Sequence, residues 1–297
     1  MKQRVITRRD FLKDGASAAL AGALFFNTPD GLFTQLERKS RVVLIRNKDL
    51  LDTYNRPRQE IVQKMLDEAV TTLLDEEEPL QAWKRLLGPD DIVGIKSNVW
   101  RFLPTPKALE QAIKRRVMDV GVFEKNIGIR DRDLLRDSLF RNATALINVR
   151  PMRTHHWAGV GSLIKNYIMF VEEPSDYHWD SCANLASIWK LPLVRGKTRL
   201  NILVLFTPLF HGIGPHHYNP KYTWAYKGML VGIDPVAVDS TGVRIILAKR
   251  REHFGEERPL SPPPKHIFLA DTSHHLGTAD PEKIDLIRLG WEDGMLI

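Results

Sequence analysis

The residue types that could do chemistry here fall in short polar segments placed between apolar runs. They are Lys96 and Asn98; Asn148, Arg153, Thr154 and His155; Lys165 and Asn166; and Asp234 and Asp239. Two ammonium groups and a guanidinium suit a small anion. His155 is the candidate catalytic residue, a proton carrier, because an unperturbed imidazole titrates near neutrality. Lys96, Asn98, Arg153, Lys165, Asn166, Asp234 and Asp239 are the candidate ligand-binding residues. A carboxylate at Asp234 or Asp239 could also orient a histidine or take a metal. For Asp234 the plainer reading is a helix cap, since Pro235 follows it and a carboxylate accepts from first-turn N–H groups.

A second chemistry is suggested by histidine. Eight of the ten histidines lie at His155-His156, His178, His211, His216-His217 and His274-His275. His211, His216 and His217 are the candidate metal ligands, because two glycines let the loop between them bend around one divalent cation and neutral imidazole is a common nitrogen ligand. The single cysteine, Cys182, excludes an internal disulfide and any iron–sulfur cluster held by this chain's thiolates alone. Gly196-Lys197-Thr198 lacks the glycine a phosphate loop needs five positions earlier, where Leu191 stands. Gly159-Val160-Gly161 lacks the third glycine of a dinucleotide fingerprint. Neither a zinc-protease nor a serine-hydrolase motif is present.

Positioning these residues requires elements, and the order is largely strand then helix. Strands are predicted at Arg41–Arg46, Asp91–Ile95, Ala143–Val149, Leu200–Phe206 and Met229–Ile233, with Ile267–Ala270 as a last strand and Pro281–Ile287 as a short closing segment. Helices are predicted at Arg58–Leu74, Pro106–Val117 with Thr105 as cap, Gly161–Phe170 and Val236–Arg251. The fold class is α/β, a mainly parallel or mixed sheet covered by helices, and the polar segments then sit at strand ends, where open α/β sheets bind ligands. The stretch from Phe210 to Tyr226 is long, aromatic and aperiodic, as functional loops are.

The first thirty residues read differently. Lys2, Arg4, Arg8 and Arg9 precede Phe11-Leu12-Lys13, and a run rich in alanine and glycine follows from Gly15 to Phe26. The order Thr7-Arg8-Arg9-Asp10-Phe11-Leu12-Lys13 resembles a twin-arginine export signal, so residues 1–30 are expected to direct the chain to twin-arginine export machinery and a periplasmic or other extracytoplasmic location. No clean small-x-small cleavage site follows the apolar run. Residues 40–297 are expected to form a single α/β domain. Setting aside residues 1–30, which hold five basic and three acidic side chains, the 43 basic and 36 acidic residues fall to 38 and 33. That mild excess, without an aromatic-interleaved basic stripe, argues against nucleic acid. Lys114-Arg115-Arg116 and Lys249-Arg250-Arg251 are the dense basic runs, expected on solvated helix faces. No apolar run is long enough to span a bilayer in the body of the chain.

Several segments in order resemble the domain of unknown function 362 family of bacterial and archaeal α/β proteins. They are Lys96-Ser97-Asn98 with Thr105-Pro106; Ala145–Val149 then Arg153-Thr154-His155; Gly161–Asn166; Gly232-Ile233-Asp234-Pro235-Val236-Ala237-Val238-Asp239; and Leu276-Gly277 with Asp280–Ile284. Arg150 and Pro151 stand where that family tends to have proline and lysine, and Arg153 replaces a lysine, which changes a point charge into a planar fork. Some relatives carry ferredoxin-like cysteine clusters, a role this chain's single cysteine does not support. The resemblance implies the fold more than an activity.

Three functions are compatible with this reading. The first is an extracytoplasmic enzyme or cofactor protein acting on a small anionic ligand held by Lys96, Arg153 and Lys165. The second is a His-rich metal-binding protein. The third is a non-catalytic binding or assembly module using Trp157, Trp179, Trp189 and Trp224. Gathering of histidines and tryptophans about one cleft favours the first two.

Overall fold

Strand β4 (Ala145–His155) explains how the sheet opens a site. All eleven of its residues are buried, as expected of a central strand covered on both faces. Its neighbour β2 (Val93–Lys96) runs parallel to it only as far as Lys96 opposite Asn148. Beyond that point β4 has an unpaired edge until β5 (Gly159–Gly161) pairs antiparallel to it at Arg153. Pro151 falls within this gap, where a residue without an N–H costs no ladder bond on the β2 side.

The computed structural model describes residues 39–212 and 218–297. Within them the sheet has the order β3-β2-β4-β6-β7-β1-β8, with β5 on β4. The remaining strands are β1 (Ser40–Arg46), β3 (Ile127–Arg130), β6 (Thr198–Leu209), β7 (Gly228–Gly232) and β8 (Ile284–Gly290). Pairings of β2 with β3, β2 with β4, β4 with β6 and β1 with β8 are parallel, and β7 is antiparallel to both β6 and β1. The expected mixed, mainly parallel α/β sheet is what forms.

Alternation along the strands separates two cores, because successive side chains point to opposite faces. Val43, Ile45, Ile95, Ile147 and Val204 pack with α1 (Gln59–Leu74), α2 (Pro79–Leu86) and α3 (Lys107–Asp119). On the other face, Val42, Leu44, Leu146, Leu203 and Leu230 pack with α5 (Leu163–Asn166), α6 (Pro235–Phe254) and α7 (Lys265–Thr272). A short helix α4 (Ser138–Asn142) precedes β4. Among the described residues, no helix is long and apolar enough to cross a membrane.

Four local expectations are corrected. Ile267–Ala270 lies in helix α7 rather than a strand, since a four-residue apolar run fits either period and packing decides. The predicted Gly161–Phe170 helix divides into the end of β5, α5 and a 3₁₀ turn at Tyr167–Phe170. Thr105 does not cap α3: its Oγ1 accepts from Asn98 N at 3.0 Å and approaches Val149 O at 3.5 Å, tying the loop after β2 to the exposed edge of β4. The Lys249–Arg251 run is not a solvated face throughout, because Arg250 is buried and donates to the carbonyls of Phe210, Arg258 and Pro259.

Candidate functional site

The site begins with a clamp. Asp239, in the second turn of α6, has no exposure to solvent. Its carboxylate accepts from Ser162 Oγ at 2.7 Å and from the N–H groups of Leu163 and Ile164 at 2.9 Å each. These are free first-turn donors of α5, so a carboxylate from another helix caps it. Burial pushes Asp239 up to about 6, with the three hydrogen bonds opposing that rise. The clamp fixes α5 against β4 and so aims Lys165 and Asn166.

Beneath the cavity lies an asparagine network. Asn166 Nδ2 donates to Asn148 Oδ1 at 2.8 Å, to Lys96 O at 3.1 Å and to Val149 O at 3.3 Å, using the edge of β4 that β2 leaves bare. Asn148 Nδ2 donates to Leu163 O and to Asn201 Oδ1, and Asn201 donates to Ile233 O. The fully buried Lys96 Nζ donates to Asp131 Oδ1 at 2.7 Å, Ser97 O at 2.7 Å and Asn166 Oδ1 at 3.2 Å. Burial pushes the Lys96 ammonium down to about 8 against the opposing pull of Asp131. Burial also pushes Asp131 upward, but the Lys96 charge and hydrogen bonds from Lys96 and Val99 N outweigh it and hold the carboxylate below its usual range.

A cavity of about 240 Å³ opens above this floor at the carboxyl ends of β2 and β3 and along the extension of β4. Its cationic lining comprises Arg132, Arg150, Arg153 and Lys165, while Asp131 is its one carboxylate among the described residues. Arg150 and Arg153 are buried, and neither forms an ion pair among the described residues. Arg153 Nη1 donates to Asn98 Oδ1 at 3.1 Å and its guanidinium lies 4.2 Å above the Trp100 ring. Arg150 Nη1 reaches Ser162 O at 3.4 Å. The Nε of each guanidinium is buried without a hydrogen-bond partner. Gly161 makes room for this arrangement, since a Cβ there would meet Arg150 Nη2 at 2.7 Å.

Lys165 lines the same cavity, with its Nζ 3.4 Å from Cys182 Sγ. Burial pushes it down to about 8; the thiol opposes this, while Arg150 and Arg153 reinforce it. His155 is at the wall, nearly buried. Burial, followed by the charges of Lys165, Arg150 and Arg153, pushes it far below the ordinary histidine range, so the imidazole is neutral at physiological pH. Its Nδ1 accepts from Trp157 N at 3.2 Å, which places the proton of the neutral ring on Nε2. In this environment His155 offers a hydrogen bond to an anion rather than the near-neutral titration that its residue type suggests.

Lys96, Asn98, Arg153, His155, Lys165 and Asn166 thus converge from three separate chain segments. Asp239 stands behind them as the clamp. Asp234 lies elsewhere: its carboxylate caps α6 through Val236 N and Ala237 N and also accepts from Ser40 Oγ and Thr278 N, closing the sheet edge onto the C-terminal segment. Asp131, Arg132, Arg150 and Trp100 also line the cavity and were not among the residues expected from sequence. The alternating charges of Arg130-Asp131-Arg132-Asp133 were the available signal for the first two.

Rings of His155, His156, Trp157 and His178 follow one another beside the cavity at centroid distances of 4.9, 4.1 and 4.0 Å, the first pair stacked and the other two tilted. Trp189 instead stacks on Tyr167 in the core, and Trp224 packs beside Phe210. Across His155 is a larger hollow of about 760 Å³, lined in part by Thr154, His211, Tyr222 and Arg250. His211 Nδ1 is 3.1 Å from Arg250 Nη1, so a cation already faces that nitrogen. Arg8, Arg9, His216 and His217 lie outside the described residues. Among the described residues, no group of three or more histidine, cysteine or acidic side chains is placed to hold a metal.

No curated protein and no solved structure matches the chain. The family model described as domain of unknown function (DUF362) matches residues 124–244, a span holding Asp131, Arg150, Arg153, His155, Lys165 and Asp239 but not Lys96 or the C-terminal segment, and this part of the chain is therefore similar to that family of unassigned activity.

Proposed function

We propose that this chain binds a small organic anion, bearing a carboxylate or a phosphate, in the cavity between the ends of β2, β3 and β4, and that it does so as an exported protein. The observation that carries the reading is the pair Arg150 and Arg153: two buried guanidinium groups, each with an orphaned Nε, over a cavity whose one lining carboxylate among the described residues already pairs with Lys96. An uncompensated buried charge costs several kcal/mol, and an anion with two oxygens in the plane of a guanidinium offsets that cost through charge-assisted bonds. Lys165 adds a third cation and His155 Nε2–H a neutral donor.

Export rests on the Arg8-Arg9 segment and its apolar run. An Arg8→Lys/Arg9→Lys variant is expected to remain in the cytoplasm of the producing cell while the parent chain is recovered outside it.

Thermal unfolding with inorganic phosphate, sulfate and short-chain carboxylates, each against chloride at equal ionic strength, tests the binding. At a ligand concentration about a hundredfold above Kd the expected stabilisation is about 2.7 kcal/mol, and Arg150→Gln removes it. If no anion stabilises the protein beyond chloride, the reading is wrong.

The metal-binding alternative draws on the spacing of His211, His216 and His217. The guanidinium of Arg250 at His211 and the cations around His155 weigh against a second positive charge in this region.

A further inference from the structure

Lys165 differs from the other buried lysine in what surrounds it. Lys96 is saturated by three oxygen acceptors, one of them the Asp131 carboxylate with which it pairs, and lies under the cavity floor. Lys165 is at the cavity wall, forms no ion pair among the described residues, and has the Cys182 thiol as its hydrogen-bonding neighbour. The backbone is strained to bring that thiol there: Asp180, Ser181 and Cys182 all have left-handed φ values, of 47°, 57° and 62°. Each such residue costs roughly 1–2 kcal/mol without glycine, and strain of this kind tends to collect at functional sites. From the other side, the Asp239 clamp fixes the first turn of α5 two residues before Lys165.

We propose that Lys165 is a carbonyl-reactive amine that forms an imine with a small anionic aldehyde or ketone, a 2-oxo acid being the smallest class that fits, whose carboxylate is held by Arg150 and Arg153. The inference rests on the anion-binding reading of the same cavity. In the step, the Nζ lone pair adds to the carbonyl carbon and forms the C–N bond. The carbonyl oxygen then leaves as water with the two protons given up by the amine, so no oxidant or reductant is consumed.

Three features support it. A desolvated lysine beside other cations is an established way to make an amine nucleophilic. With Lys165 brought down to about 8, the free amine near pH 7 is of the order of 10²-fold more abundant than in an ordinary lysine. The cavity of about 240 Å³ has room for a short oxo acid.

The test uses glyoxylate with sodium borohydride on the full chain, followed by peptide mapping for carboxymethyl-lysine. Lys165 is expected to be labelled at least about tenfold faster than exposed lysines such as Lys107. The label is expected to be lost in Lys165→Arg, slowed in Arg153→Gln and competed by inorganic phosphate. Lys165→Met, compared by circular dichroism and unfolding midpoint, separates loss of the amine from loss of the fold. Labelling confined to exposed lysines, in a protein that phosphate still stabilises, overturns the imine and leaves the anion site standing. Rapid labelling of Lys165 in a protein that no anion stabilises keeps the reactive amine and overturns the guanidinium-held carboxylate.

Discussion

Asp239 Oδ2 sits 2.7 Å from Ser162 Oγ, joining the second turn of α6 to the residue that precedes α5. Through this contact and the two backbone N–H groups beyond it, one carboxylate sets the position of Lys165 and Asn166. Asp239→Ala strands three buried donors and is expected to cost about 3 kcal/mol or more, measured by urea unfolding. Because burial raises Asp239 to about 6 in the folded chain, its linkage has a defined sign. The contribution is fully present below the unfolded carboxylate range near 3.8 and is lost as pH rises through about 6. The difference in stability between the parent and Asp239→Asn should therefore change across that window and be flat above it.

Removing half of the Lys96–Asp131 pair leaves a buried charge alone. Asp131→Asn is expected to destabilise the protein by about 3–5 kcal/mol, while Lys96→Met/Asp131→Leu costs less than the single change, because the double variant buries no unpaired charge. Denaturant midpoints of the three proteins check this, and equal losses would mean that the pair is solvated.

Anion affinity should fall with alkali. Lys165 and Lys96, both brought to about 8 by burial, carry charge below that value and lose it above. Arg150 stays charged past it, since burial brings it down only to about 10, while burial and then the neighbouring Arg150 charge lower Arg153 as well. A titration of phosphate binding is expected to show a decline through about pH 8 to 9, superimposed on the change in the anion's own charge at about pH 7. Sulfate, which does not titrate there, should show the decline alone. A pH-independent sulfate affinity would remove Lys165 from the site.

His155 should remain neutral through mildly acid conditions. Burial and three neighbouring cations disfavour the imidazolium, so its ring nitrogen resonances are expected to show a proton on Nε2 and none on Nδ1 down to about pH 5. Added sulfate should raise its pKa by placing negative charge nearby. An imidazole that titrates near 6.5 in the free protein would restore the proton-carrier role its residue type suggests.

Much of this site was legible before the structure, for a physical reason. Val93–Lys96 ends in a lysine and the apolar start of Ala145–His155 runs into polar residues, and a parallel sheet gathers such ends on one edge. Lys96, Asn98, Arg153 and His155 followed from that, and Lys165 and Asn166 from their place one turn into the helix expected after the third strand. Asp131 did not, because β3 is four residues long, contains a glycine and is only half-buried, so no periodicity announces it. Arg150 was hidden differently: a guanidinium inside a buried strand contradicts the hydrophobic pattern, and the pattern was read as ending at Val149. The conflict between the charge and its strand was itself the signal. Arg250 was missed in the reverse sense, a basic run taken as surface whose middle member turns inward to three carbonyls.

The most direct measurement is calorimetric titration of sulfate into the parent protein and Arg153→Met at fixed ionic strength, with the ligand-free unfolding free energy of each taken alongside. The account predicts one saturable site in the parent and an affinity at least about tenfold lower in the variant. It also predicts a ligand-free variant at least as stable as the parent, since an apolar side chain replaces a buried unpaired charge. Sulfate binding of equal strength in both proteins, or no saturable heat in the parent, would contradict it.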